Sequence, residues 1–84
     1  MGQLTEAKAF ENLKSIMSSI SDLKLRIPVS SITLEHVLRK DLGFDSIVLF
    51  SVLMELEASY PHITEEIASK WLTIDDCVKS MVNE

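Results

Sequence analysis

Apolar residues near the start of the chain recur at intervals of three and four, and this spacing predicts an amphipathic helix over residues 5 to about 22. The stripe consists of Phe10, Leu13, Met17 and Ile20. From Leu23 to Val29 the apolar period changes to two, which is typical of extended backbone. Pro28 lacks a backbone donor, so we expect an extended segment or an edge strand there and not a central strand.

The connection from residue 30 to residue 45 combines turn-forming residues with an unusual number of apolar ones. Its apolar members are Ile32, Leu34, Val37, Leu38, Leu42 and Phe44. A solvated loop would not hold so many, so we expect this segment to lie against the core. One helical turn is predicted near residues 34–38.

The second helix is predicted to begin at Asp45 or Ser46 and to end near Ser59, with Asp45 as its N-cap and Pro61 beyond its end. Eight of the ten residues from 47 to 56 are apolar. One buried stripe needs fewer apolar residues than that. The helix is therefore either packed around most of its circumference, or it carries an apolar patch for contact with another protein.

Two more helices follow after Pro61. A short one is predicted from Glu65 to about Lys70, with acidic residues in its first turn. Thr73 and Asp76 have the spacing of a capping box and predict the start of a fourth helix. The predicted fold class is thus all-α, a four-helix bundle with a short third helix and a long first loop, and residues 1–84 are expected to form a single domain.

The chain of 84 residues has a net charge of −5, and the acidic groups are unevenly spread. Residues 41–69 hold six acidic side chains and no Lys or Arg. Such a patch steers a basic partner, or it merely keeps the surface soluble. An acidic surface repels phosphate backbones and anionic lipids, so neither nucleic acid nor a membrane is an expected partner.

Cysteine and histidine are too sparse for a disulfide or a metal site. Cys77 is the single cysteine, and His36 and His62 stand far apart in sequence. We expect Cys77 to be a small core residue in a protein of a reducing, cytoplasmic compartment. No apolar run approaches the length of a membrane span.

The segment from Asp41 to Ile47 carries the candidate chemistry. Ser46 follows an acidic cap and a turn that contains Gly43, and it takes the first position of the apolar second helix. There its hydroxyl lies beside unpaired backbone N–H groups at the positive end of the helix dipole, which suits an attached phosphate. Serine is also a common residue at helix starts whatever the function, so the local sequence leaves both interpretations open.

This segment, Asp41-Leu42-Gly43-Phe44-Asp45-Ser46-Ile47, resembles the D-L-G-x-D-S-L signature of the acyl carrier protein family, which includes the peptidyl carrier domains. The similarity extends over residues 5 to 82, including the long loop and the order of the helices. The resemblance implies that a transferase dependent on coenzyme A and Mg²⁺ attaches 4'-phosphopantetheine to Ser46. Acyl or aminoacyl groups would then be carried as thioesters by a monomeric protein that is no enzyme itself.

Physical reasoning about such a carrier predicts two surfaces near the serine. Phosphopantetheinyl transferase and the loading and condensing enzymes would contact Ile47, Val48, Ser51, Met54, Glu55 and Glu57. An acyl pocket between the second and third helices would be lined by Leu49, Leu53, Ile63, Ile67 and Trp71. Each of these five residues could equally belong to a filled core without an opening.

Three positions depart from the family pattern. Carriers of fatty acid synthesis typically have acidic residues where this chain has Val48 and Ser51, so the chain looks closer to polyketide or nonribosomal peptide carriers. Trp71 stands where the family commonly has a smaller aliphatic residue, and this change limits the depth of any acyl pocket.

Other functions fit the sequence less well. Ser46 lacks the G-x-S-x-G elbow of a nucleophilic serine, and the Asp41–Ser46 segment lacks the alternating ligands of a calcium loop. A DNA-binding helix-turn-helix would need a basic recognition helix. The alternative that remains is a small helical interaction module that is never modified.

Overall fold

The computed structural model describes residues 5–20 and 23–82. It contains four α-helices: α1 (Glu6–Ser19), α2 (Ser46–Ser59), α3 (Glu65–Ala68) and α4 (Ile74–Val82). Across the described residues no strand forms, and one isolated antiparallel bridge joins Val37 to Thr73. The predicted all-α fold with a short third helix and a long first loop is therefore confirmed.

Each helix start is capped by the residue type that its sequence suggests. Thr5 accepts a hydrogen bond from the backbone N–H of Lys8 at the start of α1, and Thr64 caps α3 in the same way. At α4 the predicted capping box forms in both directions. The Asp76 N–H donates to Thr73 Oγ1 (3.3 Å), and the Asp76 carboxylate accepts from the Thr73 N–H (3.1 Å).

The long first connection is folded onto the segment that precedes α4. The Leu38 N–H donates to the Leu72 carbonyl (2.9 Å), and the Ile74 N–H donates to the His36 carbonyl (3.1 Å). These bonds satisfy the backbone N–H groups of the buried residues Leu38 and Ile74, and Ile32 and Leu42 of the same connection are also buried. The expectation that this segment lies against the core is met.

Three predicted boundaries differ from the structure. The helical turn of the first connection is a 3₁₀ turn at Val29–Ser31, directly after Pro28. Residues 34–38 form no helix, because their backbone pairs with the segment before α4. Helix α1 ends at Ser19 and not near residue 22, and residues 21–22 lie outside the described part. Helix α3 ends at Ala68, before Lys70, where the Ser69 hydroxyl donates to the Glu66 carbonyl (2.7 Å).

Helix α1 packs against α4 and α2, and α2 packs against α3. The buried side chains are apolar, and no polar or charged residue is buried among those that the structure describes. The largest fully buried side chains are Leu13, Met17, Leu42, Leu56, Ile63, Ile74, Met81, Val52 and Val78. This core holds the N-terminal end of α2 at the surface, beside α3.

Candidate functional site

The turn before α2 requires glycine for two reasons. Gly43 has a φ of 76°, which side-chain-bearing residues rarely adopt. A Cβ atom at this position would also lie 3.0 Å from Cγ of Arg26, whose side chain covers the turn. Arg26 is held there by bonds from its N–H to the Leu42 carbonyl (3.0 Å) and from Nη1 to the Lys40 carbonyl (3.2 Å). The turn is thereby fixed from both its own backbone and the first connection.

Both acidic residues of the motif serve local structure. The Asp41 carboxylate accepts a hydrogen bond from the Val37 N–H (2.7 Å) and is half-buried. The Asp45 carboxylate accepts from the Val48 N–H (2.8 Å), as an N-cap does. Two of the six acidic groups in residues 41–69 are thus engaged in shaping the turn. The exposed acids left for steering a partner lie further along, at Glu55, Glu57, Glu65 and Glu66.

Ser46 is exposed at the first position of α2. The Asp45 side chain accepts a hydrogen bond from the Val48 N–H, and the Asp45 carbonyl accepts one from the Leu49 N–H (2.9 Å). The N–H groups of Ser46 and Ile47 belong to the first helical turn, which lacks intrahelical acceptors. A phosphate ester on the Ser46 hydroxyl would therefore meet free donors and the positive end of the helix dipole, so this position fits such a group.

Two surface grooves meet beside Ser46. One, of about 210 Å³, is bounded by Ser46, Leu49, Phe50, Leu53, Glu65, Ala68 and Ser69. The other, of about 180 Å³, is bounded by Leu38, Arg39, Phe44, Asp45, Leu49, Ala68, Ser69, Trp71 and Leu72. They share Leu49, Ala68 and Ser69, so together they form one channel between α2 and α3. We call this channel the α2–α3 groove.

The five residues predicted to line an acyl pocket are divided by the structure. Leu49, Leu53 and Trp71 border the α2–α3 groove. Ile63 is fully buried in the core, and Ile67 is half-buried, and neither borders the groove. Ile63 precedes α3 and belongs to the core, and Ile67 lies within α3 and packs against the core. The prediction for these two residues does not agree with their position.

The residues predicted to contact partners lie on the outer side of α2, although not all are equally exposed. Ile47 is 75% exposed and Met54 is 57% exposed, and Glu55 and Glu57 are also exposed. Val48 and Ser51 are less exposed than these four, since both are half-buried, and Val48 packs against the edge of the core. The two latter residues therefore offer less surface to a partner than the prediction assumed.

Two exposed apolar residues near Ser46 were not predicted as contact residues. Phe50 is 49% exposed and Leu72 is 70% exposed. Phe50 could have been found from spacing, because Ile47, Phe50 and Met54 stand at i, i+3 and i+7 on one helix face. No sequence signal marks Leu72, which is brought to the α2–α3 groove by the bonds between the first connection and the segment before α4.

A larger open depression of about 410 Å³ lies elsewhere on the surface. It is bordered by Asn12, Ser15, Ile16, Ser59 and Tyr60. Ser59 ends α2, so this depression lies about 20 Å from Ser46 along the helix. It contains none of the predicted site residues.

Neither histidine is engaged with Ser46. His36 Nδ1 accepts from the Thr33 N–H (3.0 Å), and His62 Nε2 bonds to the Ser80 carbonyl (2.8 Å). Cys77 is buried, and burial, aided by the nearby Asp76 carboxylate, raises the pKa of its thiol strongly, so it remains protonated. Within residues 5–20 and 23–82 no group of three His, Cys, Asp or Glu side chains is placed to hold a metal ion. None of the helices described there is both long and apolar enough to cross a membrane.

A protein-family model described as "phosphopantetheine attachment site" matches residues 13–77, which are 65 of the 84 residues. The matched range contains the Gly43 turn, all of α2 and α3, and the start of α4. Members of this family carry 4'-phosphopantetheine as a covalently attached prosthetic group, and the role is that of a carrier. The chain therefore belongs to the phosphopantetheine attachment family of acyl and peptidyl carrier proteins.

Proposed function

We propose that this protein carries acyl or aminoacyl groups as thioesters on a 4'-phosphopantetheine arm attached to Ser46. The observation that supports this residue is its position: an exposed serine at the first turn of α2, directly after the rigid Gly43 turn and inside the family match. Among the residues of the motif, Ser46 alone has an exposed hydroxyl at this helix end.

The chain's own residues would prepare the serine for attachment. Gly43 and Arg26 fix the turn, and Asp45 sets the start of α2, so that the Ser46 hydroxyl points away from the core at a constant position. The Ser46 and Ile47 N–H groups and the helix dipole would stabilise the phosphodiester. The arm supplies a terminal thiol that forms thioesters. The bound coenzyme A and Mg²⁺ belong to the transferase that modifies Ser46.

The partner surface that we propose is the outer face of α2. Ile47 and Met54 would provide apolar contact, and the exposed side chain of Phe50 would extend this contact. Glu55 and Glu57 would steer partners that have basic docking sites. Val48 and Ser51, which are half-buried, would be covered at the edge of such a contact.

We further propose that the partners are loading and condensing enzymes of polyketide or nonribosomal peptide synthesis, with fatty acid synthesis as the less favoured pathway. Val48 and Ser51 leave the outer face of α2 less acidic than in typical fatty acid carriers. The protein would act as a monomer in the cytoplasm, and the chemistry would be done by its partners. No histidine lies bonded to Ser46 to make it a nucleophile in its own right.

Intact-mass measurement tests the attachment site. The purified protein is incubated with coenzyme A, Mg²⁺ and a broad-specificity phosphopantetheinyl transferase, and one pantetheine phosphate should be added. The Ser46→Ala variant should gain nothing. Ser69→Ala is a matched control, since Ser69 is an exposed serine on the same groove, and this variant should be modified like the original.

The same measurement distinguishes the alternative function. An unmodified interaction module would use the exposed face of Ile47, Phe50 and Met54 without any prosthetic group. No mass gain in the original protein, or equal gain in Ser46→Ala, would favour that alternative and contradict the carrier proposal.

A further inference from the structure

Three side chains separate the α2–α3 groove from the interior of the bundle. A small void in the core is bounded by eight buried residues: Leu13, Met17, Leu38, Phe44, Val52, Trp71, Ile74 and Cys77. Leu38, Phe44 and Trp71 also border the outer groove next to Asp45. These three residues, which we call the partition, are therefore the wall between the surface beside Ser46 and the core.

The space behind the partition is too small for an acyl chain. The void has a volume of about 10 Å³. A void needs a volume of about 10 to 15 Å³ to admit one water molecule, and a cavity that binds benzene is far larger. An acyl chain could enter only if side chains of the partition moved apart.

Trp71 is the largest residue of the partition, and it is fixed in place. It is 8% exposed, and its indole N–H donates to Ser80 Oγ (2.8 Å). Ser80 Oγ in turn donates to the Asp76 carbonyl (2.9 Å) in α4. Moving the indole aside would break a part-buried hydrogen bond and expose apolar surface, so the closed position is favoured. Leu38 and Phe44 have no comparable polar anchor in their side chains.

We propose that Trp71 is a specificity-determining residue that keeps the cargo out of the core, so that this carrier takes short or polar acyl and aminoacyl groups. This inference rests on the proposed attachment at Ser46. Cargo would stay in the α2–α3 groove, where Arg39, Ser69 and Glu65 offer polar groups beside Leu49 and Leu53. A long aliphatic chain would find no space of sufficient volume in the core, and the part that extends beyond the groove would remain in contact with solvent.

Reactivity of the thioester measures whether cargo is sheltered. The protein is loaded with acetyl, butyryl, octanoyl or palmitoyl groups, and cleavage by hydroxylamine is followed by intact mass. Each rate is divided by that of the same acyl group on free pantetheine. For the original protein we expect ratios that change little from butyryl to palmitoyl, because the groove shelters only the first carbons of the chain. Each methylene that is buried would otherwise slow cleavage by a factor of about four.

Variants of Trp71 should open the core. In Trp71→Leu and Trp71→Ala the normalised rate should fall as the chain lengthens, by about tenfold or more once two or more methylenes are buried. Ser80→Ala removes the anchor without removing the ring, and it should show a smaller fall of the same kind. Leu72→Ala is the matched control, because Leu72 borders the groove but not the void, and it should behave like the original.

Two results would overturn the inference. The original protein could already protect long chains, or the Trp71 variants could protect them no better than the original. In the first case the single tryptophan would also report the entry, because its fluorescence would change with chain length. Either result leaves the attachment at Ser46 intact, since loading itself would have succeeded.

A second experiment does not depend on loading the protein with an acyl group. Unmodified protein is heated with and without benzene, and binding to the folded state raises the melting temperature. Trp71→Ala or Trp71→Leu should gain stability from benzene, and the original protein should not. Equal gains in both would contradict the closed partition even if Ser46 is never modified. Failure of loading with the expected benzene result would instead refute the carrier proposal alone.

Discussion

Helices α2 and α4 are both rich in apolar residues, but they use them differently. In α4 the apolar residues Ile74, Cys77, Val78 and Met81 are all buried, whereas Lys79 is exposed and Asp75 and Asp76 are half-buried. In α2 the buried side chains are Val52, Leu53 and Leu56, while Ile47, Phe50 and Met54 are largely exposed. Helix α4 thus has only the apolar residues that the core uses. Helix α2 has a surplus, and that surplus lies on the turns that follow Ser46.

The N-terminal ends of α4 and α2 also differ, in the number of backbone N–H groups that their side chains cap. Asp76 accepts hydrogen bonds from the N–H groups of Leu72 and Thr73, and Thr73 accepts one in return. Asp45 accepts a single bond, from the Val48 N–H, at an exposed position. The start of α4 is therefore built for stability. The start of α2 keeps donors free, which costs stability and leaves room for an attached group.

The largest expected effect separates the two sides of α2. Leu56→Ala removes a fully buried side chain and should lower the free energy of unfolding by about 3 kcal/mol, because a cavity is left in the core. Met54→Ala, two residues earlier on the exposed side, should change it by less than about 0.5 kcal/mol. Urea unfolding followed by circular dichroism measures both. Equal losses would mean that the exposed face of α2 is part of the fold after all.

The second prediction concerns the buried thiol between α4 and the core. Burial raises the pKa of Cys77 well above its ordinary value, so the folded protein keeps the proton that the unfolded chain releases. The unfolded state then binds fewer protons, and stability falls as pH rises above about 8.5, by up to about 1.4 kcal/mol for each pH unit.

Cys77→Ala isolates this contribution, because other groups that titrate in alkali are unchanged. Urea unfolding at about pH 8 and about pH 10 should show a steeper loss for the original protein than for the variant. Parallel pH dependences would show that the thiol ionises as easily in the folded protein as in the unfolded chain. An aromatic disulfide reagent should likewise label Cys77 only after unfolding.

The third prediction compares the two caps. Asp76→Ala removes the acceptor of two backbone N–H groups and should destabilise the protein by about 2 kcal/mol. Asp45→Ala removes one bond at an exposed position and should cost about 1 kcal/mol. Asp→Asn at each position retains an acceptor and should restore most of the loss. If Asp45→Ala proved the more costly, the start of α2 would not be the less stable of the two.

Sequence reasoning predicted the helices well where local signals act alone. The caps Asp45 and Thr73 are set by residues within one turn, and the apolar period of α1 depends only on spacing. The Asp41–Ile47 signature identified the family for the same reason, since its residues are contiguous in the chain. The family match over residues 13–77 confirms that recognition.

Features that depend on distant parts of the chain were not predictable in this way. The turn near residues 34–38 is replaced by pairing with the segment before α4, which no local pattern announces. Ile63 and Leu72 are both aliphatic, yet the first is buried and the second lies open at the α2–α3 groove. Their positions depend on how α3 and the first connection meet, and helical periodicity does not describe that junction.

The smallest expected effect concerns the exposed face of α2, which has no counterpart on α4. Glu55→Lys reverses an exposed charge on α2 and should leave the free energy of unfolding within about 0.5 kcal/mol of the original. Transfer from a loading enzyme with a basic docking site should slow about threefold, because an exposed charge pair contributes at most about 1 kcal/mol. Glu11→Lys is the control, because it makes the same charge change at an exposed position of α1, a helix that does not border the α2–α3 groove, and transfer should be less affected. The difference between the two variants should shrink at high salt, as it must if it arises from steering. A defect in Glu55→Lys that is independent of salt would mean that this carboxylate makes a specific contact, and that the surplus face of α2 recognises its partners by geometry as well as by charge.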